Sequence, residues 1–170
     1  MRTHVERLLT ALLAATIAGC ASKPDPVARY QVAAGASERE QRGVDAEGYH
    51  RSAVERARVL GPAKQSEALL GLGAFLQREL RFRDSLAPLN ESLVMARAAN
   101  LGTTEVALRR VHLAKSYGAL NRWQDGAAEL RAAMPDARSL DGDAGKLARE
   151  VIDVYRVRLP ALLIDATFLD

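Results

Sequence analysis

The chain has 170 residues, 48% of them hydrophobic but only 5% aromatic, with a single cysteine and a formal charge of +3. That length suggests one domain behind any targeting segment, and apolar content drawn mostly from Ala, Leu and Val favours helices over sheets. One cysteine excludes an internal disulfide, and a mild, arginine-rich excess without a dense basic stripe argues against nucleic-acid binding.

Met1 to Arg7 carries Arg2 and Arg7, and Leu8 to Ala18 is an uncharged apolar run leading to Gly19 and Cys20. Charge followed by a short apolar run is the order of a secretory signal. Crossing the hydrocarbon takes roughly 20 apolar residues, so this run is too short to remain as an ordinary transmembrane anchor. The ending Ile17-Ala18-Gly19-Cys20 resembles the lipobox of bacterial lipoproteins. That resemblance implies removal of residues 1–19 as a signal peptide and attachment of diacylglycerol to Cys20. Two or more acyl chains anchor stably where one does not. Ala21 follows Cys20 where an Asp would, by the proteobacterial sorting rule, retain the protein in the inner membrane. The implied address is therefore the periplasmic face of the outer membrane. Residues 20–27, with Pro24 and Pro26, read as a short extended tether because each Pro disfavours helix in the residue before it.

From residue 28 to residue 170 the pattern is helical and repetitive. The stretch "SEALLGLGAFLQRELRFRDSLAPLNESLVMARAA" places Leu69, Leu72, Gly73 and Leu76 on one helical face, then Phe82, then Ser85, Leu89 and Ser92 on another. A second copy, "EVALRRVHLAKSYGALNRWQDGAAELRAAM", gives Leu113, Ala114 and Tyr117, then Trp123, then Gly126, Leu130 and Ala133. Small residues at Gly73 and Ala114, opposed by Ser85 and Gly126, let two helices approach closely, and Phe82 and Trp123 open the second helix of each pair. These two stretches, 66–100 and 104–134, resemble tetratricopeptide repeats. Gly73 and Ala114 are 41 residues apart, more than the roughly 34 of that family, which predicts a second helix about two turns longer, running to Ala99 or Asn100 before a stop at Gly102. Arg110 departs from the pattern where a large apolar residue is expected. "RSAVERARVLG" matches "SLVMARAANLG" at an offset of 39, which predicts an earlier, degenerate pair with its first helix near Val27 to Gln41. Pro62 suits the first turn of the next helix. Downstream, Pro135 is expected to end a helix, Leu140 to Gly145 to form a turn, and "KLAREVIDVYRVRL" to return to helix before Pro160 and "PALLIDATFLD". The expected architecture is all-α: a tetratricopeptide-like solenoid of antiparallel helix pairs with a terminal capping helix.

Residues for chemistry are sparse. His50 and His112 fall in no metal motif and read as packing or surface residues, Gly71-Leu72-Gly73 lies inside a helix rather than in a phosphate loop, and no nucleophile elbow occurs. Asp141 and Asp143 have calcium-loop spacing without the later ligands, so helix capping accounts for them better. Arg78, Arg81 and Arg83 cluster near one turn and could meet an anionic partner, although a solvated turn explains them more simply. Neither an enzymatic activity nor a cofactor is expected. The family resemblance implies a concave surface for a protein or peptide partner, on one side Glu67, Leu70, Ala74, Gln77 and Arg78, on the other Leu108, Val111 and Lys115, next to the small Gly118 and Ala119. The function expected is a scaffold in the assembly of an envelope complex, with pilotin-like service to a pilus or secretin, or regulation of a wall enzyme or protease, as specific forms.

Overall fold

The computed structural model describes residues 25–158, so the signal segment, Cys20 and the apolar piece after Pro160 lie outside the described residues. Among the described residues seven α-helices follow one another: α1 Pro26–Arg39, α2 Gly43–Ala57, α3 Pro62–Arg78, α4 Phe82–Ala98, α5 Thr103–Ala119, α6 Trp123–Ala137 and α7 Gly142–Arg158, with a 3-10 turn at Arg58–Leu60. No strand occurs among the described residues, in keeping with the all-α expectation.

The helices pair in chain order, α1 with α2, α3 with α4 and α5 with α6, and each pair packs against the first helix that follows it. The pairs are antiparallel. Ser66 near the start of α3 bonds Ser92 near the end of α4, and Arg110 of α5 meets Glu129 of α6 at 2.6 Å. Gly73 is a close approach of the expected kind, since a methyl there would stand 2.5 Å from Leu89 Cδ2. α7 lies across α5 and α6. On its far side Arg149, Asp153 and Arg156 are exposed.

The turns inside the three pairs are copies of one another. Gln41, Leu80 and Asn121 all adopt φ 58°. The next N–H, of Arg42, Arg81 and Arg122, donates to the carbonyls of Ser37, Leu76 and Tyr117 at 2.9, 2.8 and 2.8 Å. This left-handed closure satisfies carbonyls that the helix end leaves free. Each arginine then reaches an aspartate three residues on, Arg42 to Asp45 at 3.3 Å, Arg81 to Asp84 at 2.8 Å and Arg122 to Asp125 at 2.7 Å. The aspartates sit in the first turn of the next helix, where its dipole favours negative charge.

Several boundaries differ from the sequence reading. Pro26 and Val27 belong to α1 rather than to a tether, because Asp25 caps the helix by accepting from Val27 N at 2.9 Å and Val27 is fully buried. The extra repeat length is shared: α3 and α4 both have 17 residues, so the second helix alone is not the longer one. Asn100, at φ 51°, makes the left-handed stop of α4, while Gly102 is the residue before α5. Pro135 lies inside α6, which continues to Ala137. The following turn is shorter than Leu140 to Gly145, because α7 already begins at Gly142. Pro62 does open α3.

Apolar side chains form three clusters: Val27, Val54, Leu69, Leu72, Phe75 and Leu76 in the first, Leu89, Leu93 and Leu113 in the second, and Val111, Leu130, Val151 and Tyr155 in the third. Polar groups lie beside them where one pair meets the next. Glu38 accepts from Arg78 at 2.6 Å and stands 2.9 Å from His50 Nε2, whose ring packs 5.1 Å from Phe75. Burial raises the Glu38 carboxyl, but the His50 and Arg78 hydrogen bonds and charges outweigh it and hold the group below its ordinary pKa. Between α3, α4 and α5, Arg109 is buried and its Nε donates to Ser66 Oγ at 2.7 Å and Ser92 Oγ at 3.1 Å, while Nη1 meets Glu105 Oε2 at 2.8 Å. One end of the same joint holds Gln77, whose Nε2 donates to Ser116 Oγ at 2.6 Å and to the His112 carbonyl at 2.7 Å. Its Oε1 lies 2.7 Å from His112 Nδ1, and Ser85 pairs with Ser116 at 2.7 Å. Burial, helped by the charges of Lys115, Arg78 and Arg109, pushes His112 down to about 4, so the ring is neutral at pH 7 with Nδ1–H donated to Gln77.

Candidate docking pocket

The apolar hollow that stands out lies between the last two turns of α5 and the inner face of α7. It has a volume of about 310 Å³, and its aromatic wall is Trp123 and Tyr155. These rings meet edge to face, with centroids 5.3 Å apart at 70°. Two glycines make this possible. A methyl on Gly118 would stand 3.2 Å from both rings, and one on Gly126 would overlap the Tyr155 hydroxyl. That hydroxyl donates to the Ala114 carbonyl at 2.7 Å, which satisfies the polar tip of a buried ring. Burial first, then the Asp125 charge, raises its pKa well above the ordinary phenol value, so the hydroxyl keeps its proton.

Leu147, Val151 and Val154 of α7 line one side, and Phe82, the first residue of α4, closes the opposite one. Val154 is half exposed. Lys115 and Glu150 supply the charged groups of the lining, and Arg158 stacks 5.9 Å above the Trp123 ring from outside. The volume sits near the lower end of ligand pockets, roughly 300–1,000 Å³, and the walls offer apolar surface with few convergent polar groups. Such a hollow suits a large apolar side chain of another segment, not a polar small molecule.

Of the groove residues expected from sequence, Lys115 lines this pocket. The others are not gathered around it. Val111 is fully buried and Gln77 is 2% exposed, so neither offers a docking surface. The reason is packing: α5 covers the face of α3 that was read as open, with Gln77 bonded to Ser116 and Leu70 packed on Leu89, Leu93 and Leu113. Glu67 and Arg78 are exposed but engaged by α1, through Gln31 at 3.4 Å and Glu38 at 2.6 Å respectively. Ala74 is half-buried, and Leu108 packs onto the third apolar cluster. Gly118 and Ala119 do reach the pocket. Arg110 is neutralised by Glu129 rather than free. Arg81 is clasped by Asp84 and Glu47, at 2.8 and 2.6 Å, so the arginine cluster at this turn is largely internally paired.

Sequence reasoning missed Leu147, Val151, Val154 and Tyr155 as site residues because α7 was read only as a cap. Their spacing, i, i+4, i+7 and i+8, was the available signal for one apolar helical face. Among the described residues no group of three or more His, Cys, Asp or Glu is placed to hold a metal ion. No described helix is long and apolar enough to cross a membrane. Comparison with family models, with curated proteins and with solved structures finds no match for this chain.

Proposed function

We propose that this chain is an outer-membrane lipoprotein, anchored through Cys20 on the periplasmic face, whose tetratricopeptide-like array serves as a scaffold in an envelope assembly. Support for the array comes from the recurrence of its parts. The clasp arginines Arg42, Arg81 and Arg122 follow one another at 39 and 41 residues, and the small residues Gly73, Ser85, Ala114 and Gly126 fall where helices meet. α7 suits a terminal cap, because a polar outer face ends a stack that would otherwise expose apolar surface.

The observation that carries the binding role is the apolar pocket walled by Trp123, Tyr155 and Val154. Its occupant is an amphipathic segment of an envelope protein that inserts one large apolar side chain beside Trp123, with polar neighbours meeting Lys115 and Glu150. Service to a pilus or secretin, or control of a wall enzyme, would both use such a contact. The test is a photo-crosslinking residue at Val154 in living cells, compared with the same residue at Val44, which is 88% exposed on another pair. A discrete adduct at 154 that Trp123→Ala removes supports the reading. No adduct, or the same adducts from both positions, overturns it.

A further inference from the structure

Three turns join one helix pair to the next: Arg58-Val59-Leu60-Gly61, Ala99-Asn100-Leu101-Gly102 and Arg138-Ser139-Leu140-Asp141. They are alike in register, with a leucine at the third place of each, but not in their tips. The second and third turns carry Asn100 and Ser139 where the first carries Val59, which is 83% exposed. Leu60 is 46% exposed, whereas its counterpart Leu140 is buried. Val59 and Leu60 thus make an exposed apolar tip on one of the three turns at this end of the helices.

That turn is also the one at which the chain enters the fold. Asp25 is bound to Lys64, at the start of α3, at 2.9 Å. Pro26, Arg29 and Arg56 line one shallow hollow together with Tyr30 and Tyr49. Among the described residues neither the Arg29 nor the Arg56 side chain meets a carboxylate. Asp25 lies only five positions after Cys20, a reach of at most about 18 Å when fully extended. A lipid on Cys20 would therefore keep the start of α1 within about 18 Å of the bilayer.

We propose that the Arg58–Leu60 turn is a second membrane contact, in which Val59 and Leu60 enter the interface of an anionic phospholipid surface and Arg29 and Arg56 meet its phosphates, Arg58 being paired with Glu55 at 3.2 Å. Apolar tips flanked by arginines combine burial with attraction to a negative surface. This inference rests on the reading of Cys20 as the lipid-bearing residue, and its test keeps the two apart.

Cys20 is the chain's only cysteine, so once it carries lipid a Val59→Cys variant presents one reactive thiol. An environment-sensitive fluorophore on that thiol, in lipidated protein reconstituted into phosphatidylglycerol-containing vesicles, should shift to the blue. The same probe at Asn121→Cys, at the opposite end of the helices, should remain in water, and phosphatidylcholine vesicles should weaken the shift at 59. The mature chain from residue 20 with Cys20→Ser should cosediment with phosphatidylglycerol vesicles, and Arg29→Glu with Arg56→Glu should weaken this by more than about tenfold while the helical circular dichroism is unchanged. A probe at 59 that stays in water, or shifts only when an envelope protein is added, overturns the proposal. Mass spectrometry of the mature N-terminus reads Cys20 separately: no acyl group there ends the lipoprotein reading, while the unlipidated chain still decides whether the turn binds lipid.

Discussion

Where α3 and α4 meet α5, and where α5 and α6 meet α7, the same notch is filled in opposite ways. In the first joint Ser85 of α4 receives Ser116 of α5, hydroxyl to hydroxyl at 2.7 Å, inside a network with Gln77 and His112. In the second, Gly126 of α6 receives the ring of Tyr155 from α7. Ser116 and Tyr155 are 39 residues apart, as are the starts of α5 and α7, and Ser85 and Gly126 are 41 apart. One position thus carries only hydrogen bonds in one joint and, in the other, buried area together with one hydrogen bond to the Ala114 carbonyl. Hydrogen bonds are directional and fix the alignment of α5, at the cost of burying groups that must all be partnered. A ring seated on a glycine removes more apolar surface from water and is fixed at its tip by its single hydroxyl.

The comparison breaks most sharply at Tyr155. Tyr155→Ala should cost about 3–5 kcal/mol, the range for removing a buried aromatic ring, because the glycine notch cannot close behind it. Chemical denaturation would show a lower midpoint with an unchanged slope. A loss smaller than that of Ser116→Ala would reverse the ranking of the two joints.

Acid separates the joints next. His112 binds its proton in the unfolded chain near pH 6.5 but in the fold only near 4. Its contribution is therefore whole above pH 6.5 and is lost as the pH falls toward 4, a change of roughly 3 kcal/mol by linkage. Glu38, held below its ordinary value by His50 and Arg78, adds a loss below its unfolded pKa, in the same direction. Denaturation midpoints across this range should flatten in His112→Gln, while Tyr155→Ala should keep the full pH dependence. An unchanged slope in His112→Gln would remove the polar joint as its source.

The smallest effect tests what the two halves share. Leu80 and Asn121 occupy the same left-handed place in their turns, where a leucine is strained and an asparagine is tolerated. Leu80→Gly should stabilise by up to about 1 kcal/mol, and Asn121→Gly by close to nothing. Equal shifts in melting temperature would mean that the turns are not equivalent in energy.

The helices and their pairing were legible because Gly73, Phe82, Ala114 and Trp123 mark close approach and turn in order along the chain. The clasp was legible in principle, since Arg-x-x-Asp recurs at each internal turn, but arginines in an arginine-rich chain do not announce their partners. Arg109 was hidden by its neighbour. Sequence pattern singled out Arg110 as the misfit, and only the approach of α5 to Ser66 and Ser92 shows that Arg109 is the buried one. Two of the groove residues, Gln77 and Val111, lie buried for a related reason. Helical spacing tells which residues share a face, but whether α5 lies on that face depends on the stacking of pairs, so Gln77 and Val111 were assigned to a surface that packing removes. The pocket needed α7 in place before Trp123 could be seen as a wall rather than a core plug.

The length of the helices has a consequence for reach. Phe82 and Trp123 begin the second helices of their pairs, so the pocket opens near the end of the array opposite to Asp25. The 17 residues of α3 or α5 span about 25 Å at 1.5 Å per residue. On the proposed anchoring through Cys20, the helices would act as a spacer that keeps the proposed docking pocket away from the membrane, so a partner would meet it at about a helix length from the end of the array nearest the lipid.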